Sequence, residues 1–245
     1  MIVNVINGIR AYMTALPLIS KLKLWKYFVI PILISLLTLV TISFFAFSLS
    51  DNISNYLTNF WKWEIGKKTF EIISKYLSGL LILVLGLLIY KHIVLALSSP
   101  FMGPVSEKIE EHLYGKNNNY RVTSIQNKLM RGIRIGLRNI VKELVITIPV
   151  LFLSVIPVVG IFSTVFLFLT QAYYAGFGNI DYTLERYYDY NESIQFVKKN
   201  KEIAIGNGII FILFLLIPIV GVIFILPLSV TAATTETIKK IHDKK

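Results

Sequence analysis

A chain of 245 residues that is 55% hydrophobic and only 16% charged, with a mean hydropathy of +0.66, differs sharply from a soluble domain, where charged residues make up about a quarter. This composition excludes an ordinary water-soluble fold, and it makes the net charge of +11 a matter of membrane topology and not of nucleic-acid binding. The absence of cysteine excludes a disulfide framework, a thiolate nucleophile and a zinc–thiolate centre.

Residues 1–26 read as an amphipathic lead. Ile2, Val3, Ile6, Ile9 and Met13 recur at helical spacing, which suits a helix lying on the membrane surface, and Pro17 is expected to end it. Lys21, Lys23 and Lys26 form a basic collar. Met1–Ser20 holds Arg10 as its one basic residue and no small-residue cleavage site follows, so no signal peptide is expected and the first span should serve as its own insertion signal.

Residues 27–50 carry no charge and form the first predicted span, roughly 36 Å as a helix against a hydrocarbon core of roughly 30 Å. Pro31 falls in its first turn, where proline is tolerated. Residues 51–76 read as a polar connection, with Trp61 and Trp63 as interfacial anchors. Residues 77–97 form the second predicted span, with Lys91 and His92 near its end and placed to snorkel outward. The string from Ser98 to Pro104 predicts a break, after which Pro104 opens a new helix through Glu107, Lys108, Glu110 and Glu111. Asn117, Asn118 and Asn119 mark a turn.

Residues 123–143 predict a basic amphipathic helix capped by Thr123 or Ser124. Lys128, Arg131, Arg134, Arg138 and Lys142 share one face, while Ile125, Leu129, Ile133, Leu137 and Ile140 lie largely elsewhere. Two uncharged stretches follow, Leu144–Ile180 and Ile203–Thr235, separated by a mixed-charge segment over 181–202. Lys239, Lys240, Lys244 and Lys245 close the chain.

Each uncharged stretch is interrupted at its middle, by Ile156-Pro157-Val158-Val159-Gly160 and by Ile217-Pro218-Ile219-Val220-Gly221, which agree at four of five residues. Proline removes a backbone donor and clashes with the preceding turn, while glycine permits a sharp reversal. An arm such as Val145–Ile156 reaches only about 18 Å as helix, too short to cross alone. The expectation is therefore two re-entrant hairpins, over 144–177 and 203–235; single crossings are the alternative, and would put residues 181–202 outside. A turn at mid-depth needs protein or a wet cavity around its unpaired backbone groups, so packing on the spans or on a second copy is expected. Residues 91–143 carry nine basic against four acidic side chains, and residues 51–76 four against three, which places the N-terminus and the 91–143 segment in the cytoplasm.

The string Leu97-Ser98-Ser99-Pro100-Phe101-Met102-Gly103-Pro104-Val105-Ser106-Glu107-Lys108-Ile109-Glu110 resembles the post-span motif of the CysZ-type sulfate permeases, grouped with the etoposide-induced eukaryotic membrane proteins. Ile180-Asp181-Tyr182 and the run Ile217-Pro218, Leu226-Pro227, Ala232-Ala233-Thr234 resemble that family too. The resemblance implies an all-α integral membrane protein with two long transmembrane helices, two pairs of half-penetrating helices and amphipathic surface helices. It also implies assembly into dimers or larger oligomers, a bacterial inner-membrane location, and sulfate uptake for cysteine synthesis. Members of that type carry a Gly-Leu-Arg-Arg anion-binding turn before the first span. The matching positions here are Lys23, Leu24, Trp25 and Lys26, which lack the glycine and both arginines; lysine does not offer the bidentate fork of arginine.

The basic residues admit two readings. Lys21, Lys23 and Lys26, or Arg131, Arg134, Arg138 and Lys142, either draw an anion to the mouth of a path or hold the chain on acidic lipid headgroups. Lys91 with His92 suits a snorkelling pair more than a proton relay, Asp181 with Tyr182 a structural pair, and Tyr187, Tyr188 and Tyr190 interfacial aromatics. At the hairpin breaks, Pro157, Gly160, Pro218 and Gly221 would put the N-termini of the second arms inside the membrane, where free N–H groups suit an anion. No metal-ligand spacing links His92, His112 and His242, and no nucleophile or phosphate-loop motif is present, so neither an enzyme nor a cofactor is expected. The leading expectation is a permease or channel-like path for a small inorganic anion, in contact with lipid and its own copies. A non-transporting scaffold that organises lipids or partner proteins is the alternative.

Overall fold

The computed structural model describes residues 2–59, 67–115, 121, 123–154, 157–217 and 220–243. Trp61, Trp63, Asn117–Asn119 and Pro218 lie outside the described residues. Among those described, the regular structure is eight α-helices: α1 Ile2–Lys21, α2 Trp25–Asn59, α3 Lys67–Tyr114, α4 Ile125–Leu153, α5 Pro157–Leu184, α6 Tyr190–Lys199, α7 Lys201–Leu215 and α8 Val220–His242. Three windows, Trp25–Ala46, Leu88–Tyr114 and Val158–Leu184, are long and apolar enough to cross a membrane. α7 is about 22 Å long, too short to cross by itself.

Expected boundaries are absent or moved: α2 continues past Ser50 to Asn59, and α3 already begins at Lys67, within the expected polar connection. Pro17 lies inside α1, which continues to Lys21, and α3 runs unbroken through Pro100 and Pro104. Packing explains the unbroken α3. Leu95, Met102, Val105 and Ile109 make one buried stripe that crosses both prolines at helical spacing. The Ala96 carbonyl, which Pro100 deprives of its helical donor, is covered by α4: a Cβ at Gly132 would lie 2.8 Å from it. Ser99 Oγ donates to Lys128 O at 3.0 Å beside it. α4 joins the predicted basic helix and the first arm of the first hairpin into a single rod, N-capped by Ser124, whose side chain accepts from Asn127 N.

The chain falls into two compact units, residues 36–91 and residues 1–35 with 92–245. In the smaller unit α2 and α3 approach closely where Gly86 meets Ile42, and Leu37, Val40, Phe44 and Phe45 are exposed, as a lipid-facing surface requires.

In the larger unit α5 is central. It packs on α7 backbone to backbone: a Cβ at Gly176 would lie 1.9 Å from Ala204 O, and one at Gly208 would lie 1.7 Å from Ala172 O. The pairing of 172 with 208 and 176 with 204 makes the two helices antiparallel. The reversal from α4 to α5 and that from α7 to α8 therefore lie at the same end. That end is apolar and exposed, with Val145, Ile148 and Leu151 on α4, Val158, Ile161, Phe162 and Val165 on α5, and Leu216, Ile217 and Val220 on the second hairpin. The opposite end carries the charge, including Arg131, Glu185, Lys198, Lys201 and Lys239. α6 lies there, started by a capping box in which Asp189 and Glu192 exchange bonds of 2.8 Å.

Candidate anion-handling site at the charged base

Glu110 of α3 is fully buried. Its carboxylate accepts from the Arg186 guanidinium and the Tyr187 hydroxyl, and His242 Nε2 stands 3.1 Å from Oε1. His242 in turn stacks on Tyr114, ring centroids 4.2 Å apart. A buried carboxylate is tolerable only with its charge matched and its lone pairs filled, and these partners, from the ends of α5 and α8, do both.

Arg131 of α4 spends its fork on the ends of α5 and α6. Nε and Nη2 donate to Asp181 at 3.1 and 2.8 Å, Nη1 to Tyr188 O at 2.8 Å and Nη2 also to Ser193 Oγ at 2.6 Å. Asp181 is thus a structural partner, but of Arg131; the Tyr182 hydroxyl donates instead to Leu95 O at 2.5 Å. A third pair joins His92 to Glu143 at 2.9 Å, both buried. Lys91 and His92 do not snorkel: they are 1% and 2% exposed. A carboxylate on α4 draws His92 inward. Sequence reasoning missed Glu110 and Glu143 as buried groups. The signal for Glu143 was its register, since Ile135, Asn139 and Glu143 follow at four-residue steps and all are buried.

Between α4 and the start of α6 lies a cleft of about 590 Å³, lined by Arg121, Thr123, Arg131, Arg134, Glu185 and Tyr190 among others. The Arg134 guanidinium sits 3.9 Å from the Tyr190 ring centroid. Burial pushes the Glu185 carboxyl above the usual range, against the opposing pull of the Thr123 hydroxyl, 2.9 Å away, and of Lys128. Arg138 lies over Phe177 and donates to Asn139, and Lys142 is exposed, so the basic stripe divides into embedded and free members.

Behind the base runs a seam of uncharged polar side chains. Ser106 donates to Thr183 at 3.2 Å and Thr183 to Thr234 at 3.0 Å. Asn179 Nδ2 donates to Asn207 Oδ1 at 2.8 Å, and Asn207 Nδ2 to Ser229 O at 2.9 Å. The Tyr12 hydroxyl donates to Asn207 O at 2.8 Å. Asn179 Oδ1 and the hydroxyls of Thr231 and Thr237 are buried with no partner among the described residues.

The predicted turn at Lys23, Leu24, Trp25 and Lys26 joins α1 to α2. Leu24 N donates to Ile19 O at 2.9 Å and Lys23 N to Ser20 O at 3.2 Å, while Leu24 and Ile19 are both buried; this is a Schellman closure. Trp25 packs edge-on against Phe224 at 5.9 Å, and Lys26 Nζ is 5.2 Å from the Tyr27 ring centroid. Lys23 occupies the left-handed position, φ 53°, where a side chain is strained and where the resemblance puts glycine. Lys23→Gly should therefore raise stability by about 1 kcal/mol, read as a higher midpoint of thermal unfolding in detergent.

At the apolar end, Pro157 opens α5. A Cβ at Gly160 would lie 2.5 Å from Ser154 O, and one at Gly221 1.8 Å from Phe214 O. Both glycines let the second arm start directly over the last carbonyls of the first. The Gly221 N–H is bonded to Ile217 O at 2.9 Å.

These features define a multi-pass helical membrane protein in which two helical hairpins point their apolar turns one way from a common charged base. The chain belongs to the family described as sulfate transporter CysZ/etoposide-induced protein 2.4, whose model matches residues 11–225. A search of the curated proteins finds no match to it.

Proposed function

We propose that this protein is a permease or channel-like path for a small inorganic anion, sulfate by family, that supplies sulfur for cysteine synthesis and performs no catalysis itself. It works in the bacterial inner membrane, with both termini cytoplasmic, as a dimer or larger assembly. The observation that carries this reading is the seam of neutral side chains from Ser106 on α3 through Thr183 on α5 to Thr234 on α8, with Asn179 and Asn207 beside it. Neutral polar groups between membrane helices replace part of an ion's hydration shell while binding it weakly enough to leave, as conduction requires. The common direction of the apolar turns supports hairpins that dip into the bilayer from the cytoplasmic face, with residues 181–202 remaining on that face. Lys23 and Lys26 then supply attraction at the start of α2.

The test is labelled sulfate uptake into proteoliposomes of the full chain, with phosphate and chloride as competitors. Saturable uptake that phosphate inhibits less than unlabelled sulfate is the expected result. Uptake equal to that of empty vesicles refutes the reading. The chain has no native cysteine, so a single cysteine placed at the exposed Asn191 reports topology in the same vesicles. It should be labelled from the side that labels the C-terminal tail; labelling from the opposite side means that the hairpins are full crossings.

A further inference from the structure

Two cavities share a wall along α4. Ile133 and Leu137 line the 590 Å³ cleft and also a second cavity of about 190 Å³, closed by Ile93, Ala96 and Leu97 of α3 and by Ile140 of α4. Together they form one trough along α4, basic at one end and apolar at the other. At the basic end, Arg121 and Arg134 have no carboxylate partner among the described residues. Arg131 is committed to Asp181, and Glu185, the one acid among the described residues lining the mouth, is engaged by Thr123. Arg134 uses its flat face on Tyr190 and keeps its N–H edge for an oxyanion. At the apolar end His92 is among the lining residues, and its Nε2 is turned onto Glu143 at 2.9 Å.

The direction of the trough selects its occupant. Arg121 stands at the charged base, and the Leu137–Ile140 end leads toward the uncharged part of α4 and the apolar hairpin turn. A free oxyanion would leave the apolar half empty, and an uncharged chain would leave two arginines unmatched. A phosphate carrying an acyl chain fills both. We propose that the trough binds one anionic phospholipid, with its phosphate on Arg121 and Arg134 and an acyl chain along Ile133, Leu137 and Ile140. This site is separate from the Lys23–Lys26 turn and from the polar seam, and it stands whether or not the protein carries sulfate.

The experiment is native mass spectrometry of the full chain in mild detergent, supplied with equal phosphatidylglycerol and phosphatidylcholine. One phosphatidylglycerol should be retained per chain, with about thirtyfold preference if each arginine contributes the usual attraction of a basic residue for an anionic headgroup. Arg121→Gln with Arg134→Gln should bring the two lipids to near parity. Leu137→Trp, at a side chain that is 58% exposed, should expel the lipid while leaving both charges in place. Lys142→Gln, on the free face, should change nothing. Equal retention of the two lipids by the unaltered protein overturns the proposal, as does phosphatidylglycerol retention that survives loss of both arginines. Displacement of the lipid by equimolar inorganic phosphate also overturns it, because the site would then belong to a free anion. Should Leu137→Trp fail to fold, the arginine variant alone decides.

Discussion

Glu110→Ala should destabilise the protein by about 3–5 kcal/mol, the usual cost of leaving one partner of a buried ion pair behind. Arg186 would keep its charge at a site that is 7% exposed, with its carboxylate gone, and the Tyr187 hydroxyl would lose its acceptor. For a chain of this size the thermal midpoint should fall by about 10 °C. Glu110→Gln preserves shape and one acceptor but removes the charge, so it should cost nearly as much; Arg186→Met, which takes the guanidinium from a buried carboxylate, should cost less than Glu110→Ala, since Tyr187 and His242 still converge on the carboxylate. Unfolding followed by circular dichroism in detergent measures each step. A midpoint for Glu110→Ala within a degree or two of the unaltered protein would mean that the Glu110 cluster is not holding α3, α5 and α8 together.

The reason that cluster escapes sequence reading is physical. Glu110 sits beside Glu107, Lys108 and Glu111 in a segment whose charges read as one solvated helix, and nothing local distinguishes the buried member. Its partners lie far along the chain, at Arg186 and His242, so only the fold brings them together. Arg131 shows the same limit: it belongs to a periodic basic stripe, yet among the described residues it alone of those arginines takes a carboxylate, because Asp181 arrives from α5. By contrast, the helical class, the uncharged stretches and the two reversals were legible, because hydropathy and Pro–Gly chemistry act within a few residues. The prolines at 17, 100 and 104 mark where local propensity misleads, since buried stripes on both sides outweigh one lost hydrogen bond each. The glycine expected from the resemblance at position 23 is absent, but the backbone there still adopts the conformation that glycine favours.

Gly208→Leu should prevent accumulation of folded protein, and Gly208→Ala should already lower stability by about 3 kcal/mol or more. The first added carbon at 208 would fall 1.7 Å from Ala172 O, well inside any permitted contact, and the obstacle is backbone. Trimming a neighbouring side chain therefore gives no relief: Gly208→Ala with Ala172→Gly should be no more stable than Gly208→Ala alone. Size-exclusion recovery and the thermal midpoint in detergent measure both. Rescue by the second change would show that side chains set the α5–α7 distance. The same contact fixes the antiparallel register that brings both apolar turns to one end, and it positions Asn179 against Asn207 at 2.8 Å. Any anion path built on the polar seam depends on that register. Under the proposed function, whatever fraction of Gly208→Ala folds should lose sulfate uptake out of proportion to its loss of folded protein.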